Sequence, residues 1–97
     1  MVNITQQENH WYVSGDLLMN NVNKLLDLSA NLEMHKVTVI DFSATTDVDT
    51  SALSLMLEWL RRAELADCKI SFNHVSNNLI SLAELYGVTE FIPITSA

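Results

Sequence analysis

A cluster of hydroxyl and carboxyl side chains lies between residues 43 and 51, and it ends in Asp49, Thr50 and Ser51 directly before a strongly apolar segment. The first backbone N–H groups of a helix lack partners within the helix, and the helix dipole is positive there. An Asp, Thr or Ser at this point can cap the helix, and a hydroxyl there can also carry a phosphate. The spacing leaves two chemistries open at this helix start, a plain N-cap by Asp49 or Thr50, or a phosphate.

Two predicted elements position this cluster. Residues 37–42 are mostly apolar and β-branched, which predicts a central strand with both faces covered. Residues 43–48 are predicted to form a loop, and residues 49–66 the second helix of the chain. Open α/β sheets usually place their functional sites after the carboxyl ends of strands, which favours a site in this loop.

The remaining pattern predicts an α/β domain over residues 1–97, with a mixed sheet of about four to five strands and three helices. The further predicted elements are an opening β-hairpin over residues 2–13, a first helix over 17–32 with Asn20 or Asn21 as cap, a strand over 69–72, a third helix capped within 76–78 and ended by Gly87, and a last edge strand containing Phe91 and Ile92. A helix connecting the strands at 37–42 and 69–72 implies that these two strands are parallel.

The second helix carries more apolar surface than packing on a sheet requires. With residues placed 100° apart, its apolar side chains span an arc of about 200°, whereas about 100° is enough for a helix on a sheet. We therefore expect either Leu55 and Trp59 or Leu53 and Leu57 to lie near the surface. Neighbouring elements of the chain or a protein partner would both account for the surplus.

Composition excludes several classes of function. Five basic against 12 acidic residues give a formal charge of −7, which argues against binding to nucleic acid or to anionic lipid. The single cysteine, Cys68, and an N-terminus without signal-peptide features predict a cytoplasmic protein. No apolar run is long enough to cross a membrane.

The sequence also lacks the patterns that are typical of catalytic and cofactor sites. Only two glycines occur, so no glycine-rich loop can hold a phosphate, and the three histidines have no metal-ligand spacing. Ser51 has no base within its motif. We therefore expect neither enzymatic activity nor a cofactor or metal.

The segments IDFS at residues 40–43 and DTSAL at 49–53, followed by an apolar helix, resemble the signature of STAS domains. This is the family of the anti-sigma-factor antagonists and of the C-terminal domains of sulfate transporters. The predicted order of elements is similar to that family over nearly the whole chain. The resemblance implies a STAS-like mixed sheet.

Within the family, the short chain and the Val-Asp-Thr start of the second helix resemble most closely the small STAS subunits of ABC phospholipid transporters. That resemblance implies a partner, the transporter ATPase, which would recruit the chain to the inner membrane and help to maintain outer-membrane lipid asymmetry. It also places Thr50 on the partner surface. Together with the helix pattern it predicts a partner-binding set consisting of Thr50, Ser51, Leu55, Glu58, Trp59 and Arg62.

The resemblance to anti-sigma-factor antagonists implies an alternative, in which an anti-sigma-factor kinase is the partner and Ser51 is phosphorylated. Two departures from the family pattern weigh against it. Residues 15–18 lack the last acidic residue usual in kinase substrates, and Ala52 stands where a glycine is common. Self-association through the second helix stays open as a further alternative.

Overall fold

The computed structural model describes residues 2–95, which form a five-stranded mixed sheet in the order β1-β2-β3-β4-β5 with three α-helices. The elements are β1 (Asn3–Gln7), β2 (His10–Leu17), α1 (Met19–Ser29), β3 (Val37–Val48), α2 (Ser51–Leu65), β4 (Lys69–Asn73), α3 (Asn77–Leu85), a 3-10 turn (Thr89–Phe91) and β5 (Ile94–Thr95). Strands β1 and β2 are antiparallel, and every later pairing is parallel. These pairings confirm the predicted hairpin and the predicted parallel crossover.

The central strand β3 is longer and less covered than predicted. Residues 43–48 continue the strand instead of forming a loop, because β2 extends to Leu17 and pairs with them, for example Gly15 with Thr45. The prediction that both faces of this strand are covered is also wrong. Ile40 and Phe42 lie on the face of the strand that packs in one core with the helices, and both are buried. Val37 and Val39 lie on the opposite face, where Val37 is exposed and Val39 half-buried.

The expectation that Leu55 and Trp59 lie near the surface is wrong, since both have an exposed fraction of 0%. Helix α1 covers this flank of α2. The indole Nε1 of Trp59 donates to the Ser29 hydroxyl across a distance of 2.9 Å, and its ring meets Trp11 edge-on at 5.8 Å between ring centroids. The alternative pair is only half right, since Leu57 is exposed whereas Leu53 is buried, and the other exposed apolar residue of α2 is Leu65.

Helix ends follow local chemistry in most places. The Ser76 hydroxyl accepts the Leu79 N–H at 3.2 Å, which confirms the predicted cap of α3. Two residues beyond the last residue of α2 and of α3 the backbone is left-handed, at Asp67 with φ 56° and at Gly87 with φ 69°. After each, the next N–H returns to a carbonyl of the last helical turn, as in a Schellman motif.

Two predicted ends differ from the structure. Helix α1 begins after Leu18, which has extended backbone, so neither Asn20 nor Asn21 is its cap. The predicted last strand is a 3-10 turn that ends at Phe91, and β5 contains only two residues beyond Pro93. The carbonyl of Pro93 accepts the Phe72 N–H at 2.9 Å, which holds this short strand against β4.

Candidate functional site

The carboxylate of Asp49 connects the starts of two helices. Its Oδ1 accepts the backbone N–H of Ser51 at 2.9 Å and also the Ser51 hydroxyl, and its Oδ2 accepts the N–H of Met19 at 3.1 Å. The Ser51 hydroxyl is the main cause that lowers the pKa of Asp49 below its ordinary value. Asp49 is therefore the side chain that caps α2, and it also satisfies the first N–H of α1.

Most hydroxyls of the cluster bind acceptors within the chain. These pairs are Ser43 with the carboxylate of Asp41, Thr45 with the carbonyl of Phe42, Thr46 with the carboxylate of Asp16, and Ser51 with the carboxylate of Asp49. Thr50 differs from them. It is exposed, lies just before the first turn of α2 and makes no side-chain cap hydrogen bond.

Thr50 lines a groove of about 440 Å³, which we call the α2 groove. Its other lining residues come from three separate parts of the chain and are Met19, Ser51, Leu53, Ser54, Leu57, Tyr86 and Val88. Three large apolar side chains are exposed here, Met19 at 75%, Leu57 at 38% and Tyr86 at 59%. Hydroxyl groups at a helix start thus lie beside accessible apolar surface, as in many protein-binding sites.

The structure separates the six residues predicted to bind a partner. Thr50 and Ser51 line the α2 groove, whereas Leu55 and Trp59 belong to the core. The remaining two, Glu58 and Arg62, lie on the flank of α2 that faces α1. Sequence reasoning missed Met19, Tyr86 and Val88, because their proximity to Thr50 depends on how α1 and α3 pack.

Glu58 and Arg62 belong to a polar network between α1 and α2. Glu58 accepts hydrogen bonds from Arg61 at 2.7 Å and from Arg62 at 3.2 Å. These arginines, Arg61 first, lower the pKa of Glu58 to about 2. Arg62 also donates to the Leu26 carbonyl at 3.2 Å and to the Ser29 hydroxyl at 3.3 Å, at the end of α1. The side chains of Glu58 and Arg62 therefore interact with other residues of this chain.

A larger groove of about 810 Å³ lies at the other end of α2, where Leu60, Ile70 and Phe91 meet Lys36 and Lys69. Cys68 also lines it, and its thiol is half-buried 3.5 Å from the Met34 carbonyl. No member of the hydroxyl and carboxyl cluster lines this groove. We therefore take the smaller α2 groove as the candidate site.

Residues 2–95 contain neither a candidate metal centre nor a candidate membrane-spanning helix. In that range no three or more His, Cys, Asp or Glu side chains are grouped so that they could hold a metal ion. None of the helices formed by these residues is both long and apolar enough to span a membrane.

Comparisons with known proteins agree with this fold. A family model described as "Mlab, STAS domain" matches residues 1–94. No curated protein sequence matches the chain. One similar solved structure is the anti-sigma factor antagonist SpoIIAA in its unphosphorylated form, with a TM-score of 0.74 and 14% identity over 100% of this chain and 88% of that chain.

A second similar structure is a variant of RsbS from Moorella thermoacetica. Its TM-score is 0.63 and its identity 22%, over 99% of this chain and 86% of that chain. At such identities, both likenesses show a shared fold.

Proposed function

Because this chain belongs to the MlaB-type STAS domain family, we propose that it binds the ATPase of an ABC phospholipid transporter and stabilises or activates it. STAS domains are in general non-catalytic regulatory proteins. In this role the chain would act from the cytoplasmic side of the inner membrane and help to maintain outer-membrane lipid asymmetry. The observation that carries the proposal is the α2 groove. There the hydroxyl of Thr50, which makes no side-chain cap hydrogen bond, lies beside exposed apolar side chains.

The hydrogen bonds within the hydroxyl and carboxyl cluster favour a role in binding a protein partner over a catalytic role. Asp49 accepts three hydrogen bonds within the chain and has a lowered pKa, so it stays ionised and is a poor general base near neutral pH. The Ser51 hydroxyl donates to that carboxylate. Thr50 is thus the member of the α2 start that remains available to a partner.

The apolar residues of the groove can supply much of the binding free energy. Full burial of a Leu, Met or Phe side chain contributes about 1.5–3 kcal/mol, and Leu57, Met19 and Tyr86 are all partly or largely exposed. A stable interface covers roughly 800 Å² on each partner, so the groove would form its centre. Thr50 lies at one wall of that centre.

A Thr50→Glu substitution tests the proposal. A carboxylate buried without a matching charge costs several kcal/mol, and about 1.4 kcal/mol is tenfold in affinity, so we expect a Kd at least about 100-fold weaker. The measurement is titration calorimetry with the purified ATPase subunit of an Mla-type transporter, together with its ATP hydrolysis rate. The folded state should persist, because a negative charge directly before the first turn of a helix is favourable to the helix dipole.

The matched control is Thr5→Glu, which makes the same change at an exposed position of β1. It should leave the Kd unchanged. A well-folded Thr50→Glu variant that binds the ATPase as tightly as the control would contradict the proposed interface.

The alternative function is that of an anti-sigma-factor antagonist with Ser51 as its phosphorylation site. Ser51 lies at the positive end of α2 and lines the groove, which favours an accessible phosphate. Against it, a phosphate would replace the hydroxyl that donates to Asp49 and add about −1.5 to −2 charge beside that carboxylate. Mass spectrometry of protein from its native cell, with the modified peptide fragmented to locate the phosphate, separates the two functions, since stoichiometric phosphate on Ser51 would support the kinase partner.

A further inference from the structure

The groove at the C-terminal end of α2 is a second surface that the chain leaves open. We call it the distal groove, and it shares no lining residue with the α2 groove. Its apolar lining residues are Val37, Leu60, Ala63, Ile70, Phe91 and Pro93. Two of these are large and accessible, Val37 with an exposed fraction of 59% and Phe91 with 63%. Accessible apolar surface in a groove is typical of a protein-binding site.

Two lysines and two acidic residues also line the distal groove, on separate elements of the chain. Lys36 directly precedes β3 and Lys69 begins β4, and the Lys69 N–H donates to the Lys36 carbonyl at 2.7 Å. Glu64 lies in the last turn of α2, and Asp67 follows two residues beyond the end of that helix. The strand starts therefore form a basic wall, and the end of α2 forms an acidic wall.

The charges of the two walls are not neutralised within the described part of the chain. All four residues are exposed, and no ion pair within residues 2–95 includes any of them. The whole chain has a formal charge of −7, which opposes self-association in general. In the distal groove, by contrast, a second copy of the chain would meet equal numbers of positive and negative groups.

We propose that a second copy of this chain covers the distal groove and forms a dimer with two-fold symmetry. A two-fold contact uses the same patch on both copies, so this patch must carry both members of each complementary pair. The distal groove meets this condition, because the basic wall of one copy can face the acidic wall of the other. Each charge pair then occurs twice, and Val37 and Phe91 of both copies are removed from water.

The dimer leaves the α2 groove free. Thr50 and Glu64 lie 14 residues apart, roughly 21 Å along the axis of α2. Self-association and binding of the transporter ATPase therefore use different surfaces, and failure of one leaves the other intact.

Opposite charge reversals on the two walls test the dimer. The variants are Glu64→Lys on the acidic wall and Lys69→Glu on the basic wall, and both positions are exposed, so the fold should persist. The matched controls are Glu84→Lys and Lys24→Glu, which make the same changes at exposed positions that do not line the distal groove. The measurement is sedimentation equilibrium at several protein concentrations, with each variant alone and with the two wall variants mixed.

We expect the mass of the wild-type species to rise from that of one chain towards that of two as the concentration rises. Each wall variant should weaken the dimer about tenfold or more, because the two-fold axis repeats the like-charge contact, and each control should change the Kd by less than about twofold. An equimolar mixture of Glu64→Lys and Lys69→Glu should dimerise more tightly than either variant alone. In the mixture, the more basic groove of one variant faces the more acidic groove of the other.

A wild-type chain that stays monomeric at every concentration would overturn the inference and assign the distal groove to a different occupant. A dimer that the wall variants weaken no more than the controls would also overturn it, as would a mixture that dimerises no more tightly than its components. These outcomes leave the proposed function intact, since binding of the ATPase by the wild-type chain is measured separately.

Discussion

Removal of the Asp49 carboxylate should loosen the starts of two helices at once. In the Asp49→Ala variant, the N–H groups of Ser51 and Met19 and the Ser51 hydroxyl lose their acceptor. Loss of an N-cap costs about 1 kcal/mol for one helix. Counting one such loss for α2 and one for α1, we expect the free energy of unfolding to fall by about 2 kcal/mol.

The Asp49→Asn variant divides this effect between the helices. The amide oxygen of Asn can still accept from Ser51, but its NH2 group would then face the N–H of Met19, donor against donor. We therefore expect a loss of about 1 kcal/mol, confined to the start of α1. For a domain of this size that loss lowers Tm by roughly 4–8 °C.

Acid should remove the difference between wild type and Asp49→Asn. The pKa of Asp49 is lowered on folding, so its contribution is fully present above its unfolded value of about 4 and is lost as the pH falls through the folded value. The assay is urea unfolding at neutral and acidic pH, followed through the fluorescence of the buried Trp11 and Trp59. Asp47→Asn, at an exposed carboxyl two residues earlier, is the control. Equal stabilities of Asp49→Asn and Asp47→Asn at neutral pH would refute the capping role.

Two further predictions concern the core and the helix ends. Trp59→Ala should cost about 3–5 kcal/mol and Ser29→Ala about 1–3 kcal/mol, because the first empties a fully buried position and the second leaves the indole N–H without its acceptor, as urea unfolding would show. Equal stability of Ser29→Ala and wild type would contradict the role of that hydrogen bond. Asp67→Gly should raise the free energy of unfolding by about 0.5–1 kcal/mol, whereas Gly87→Ala should lower it by about 1 kcal/mol, since both positions have left-handed backbone. Thermal unfolding of the pair measures this, and a destabilised Asp67→Gly variant would show that the Asp67 side chain contributes more than its backbone strain costs.

Local chemistry in the sequence determined many elements of the fold. The alternation at the N-terminus predicts the hairpin, Ser76 and Gly87 mark the ends of α3, and the helix between β3 and β4 requires those strands to be parallel. Asp49 as a cap could also be predicted. The hairpin and the helix ends depend on residues close together in the chain, where backbone geometry and hydrogen-bonding groups act directly. The parallel pairing follows from the order of strand, helix and strand.

Pairing between distant segments decided the extent of β3. Residues 43–48 are rich in hydroxyls and resemble a loop, yet they form a strand because β2 continues far enough to supply their hydrogen bonds. Short polar segments are compatible with either state. The sequence therefore identified the place of the cluster but not its secondary structure.

The candidate site likewise combines features that the sequence determines with features that only the packing of distant segments determines. The sequence by itself determined that Thr50 and Ser51 stand at the start of an apolar helix with more apolar surface than one sheet can cover. Helical periodicity measures the width of that surface but does not say which neighbour covers which flank. Only the tertiary structure decided that α1 buries Leu55 and Trp59 while Leu57 stays accessible beside Met19 and Tyr86, because that choice depends on contacts between segments far apart in the chain.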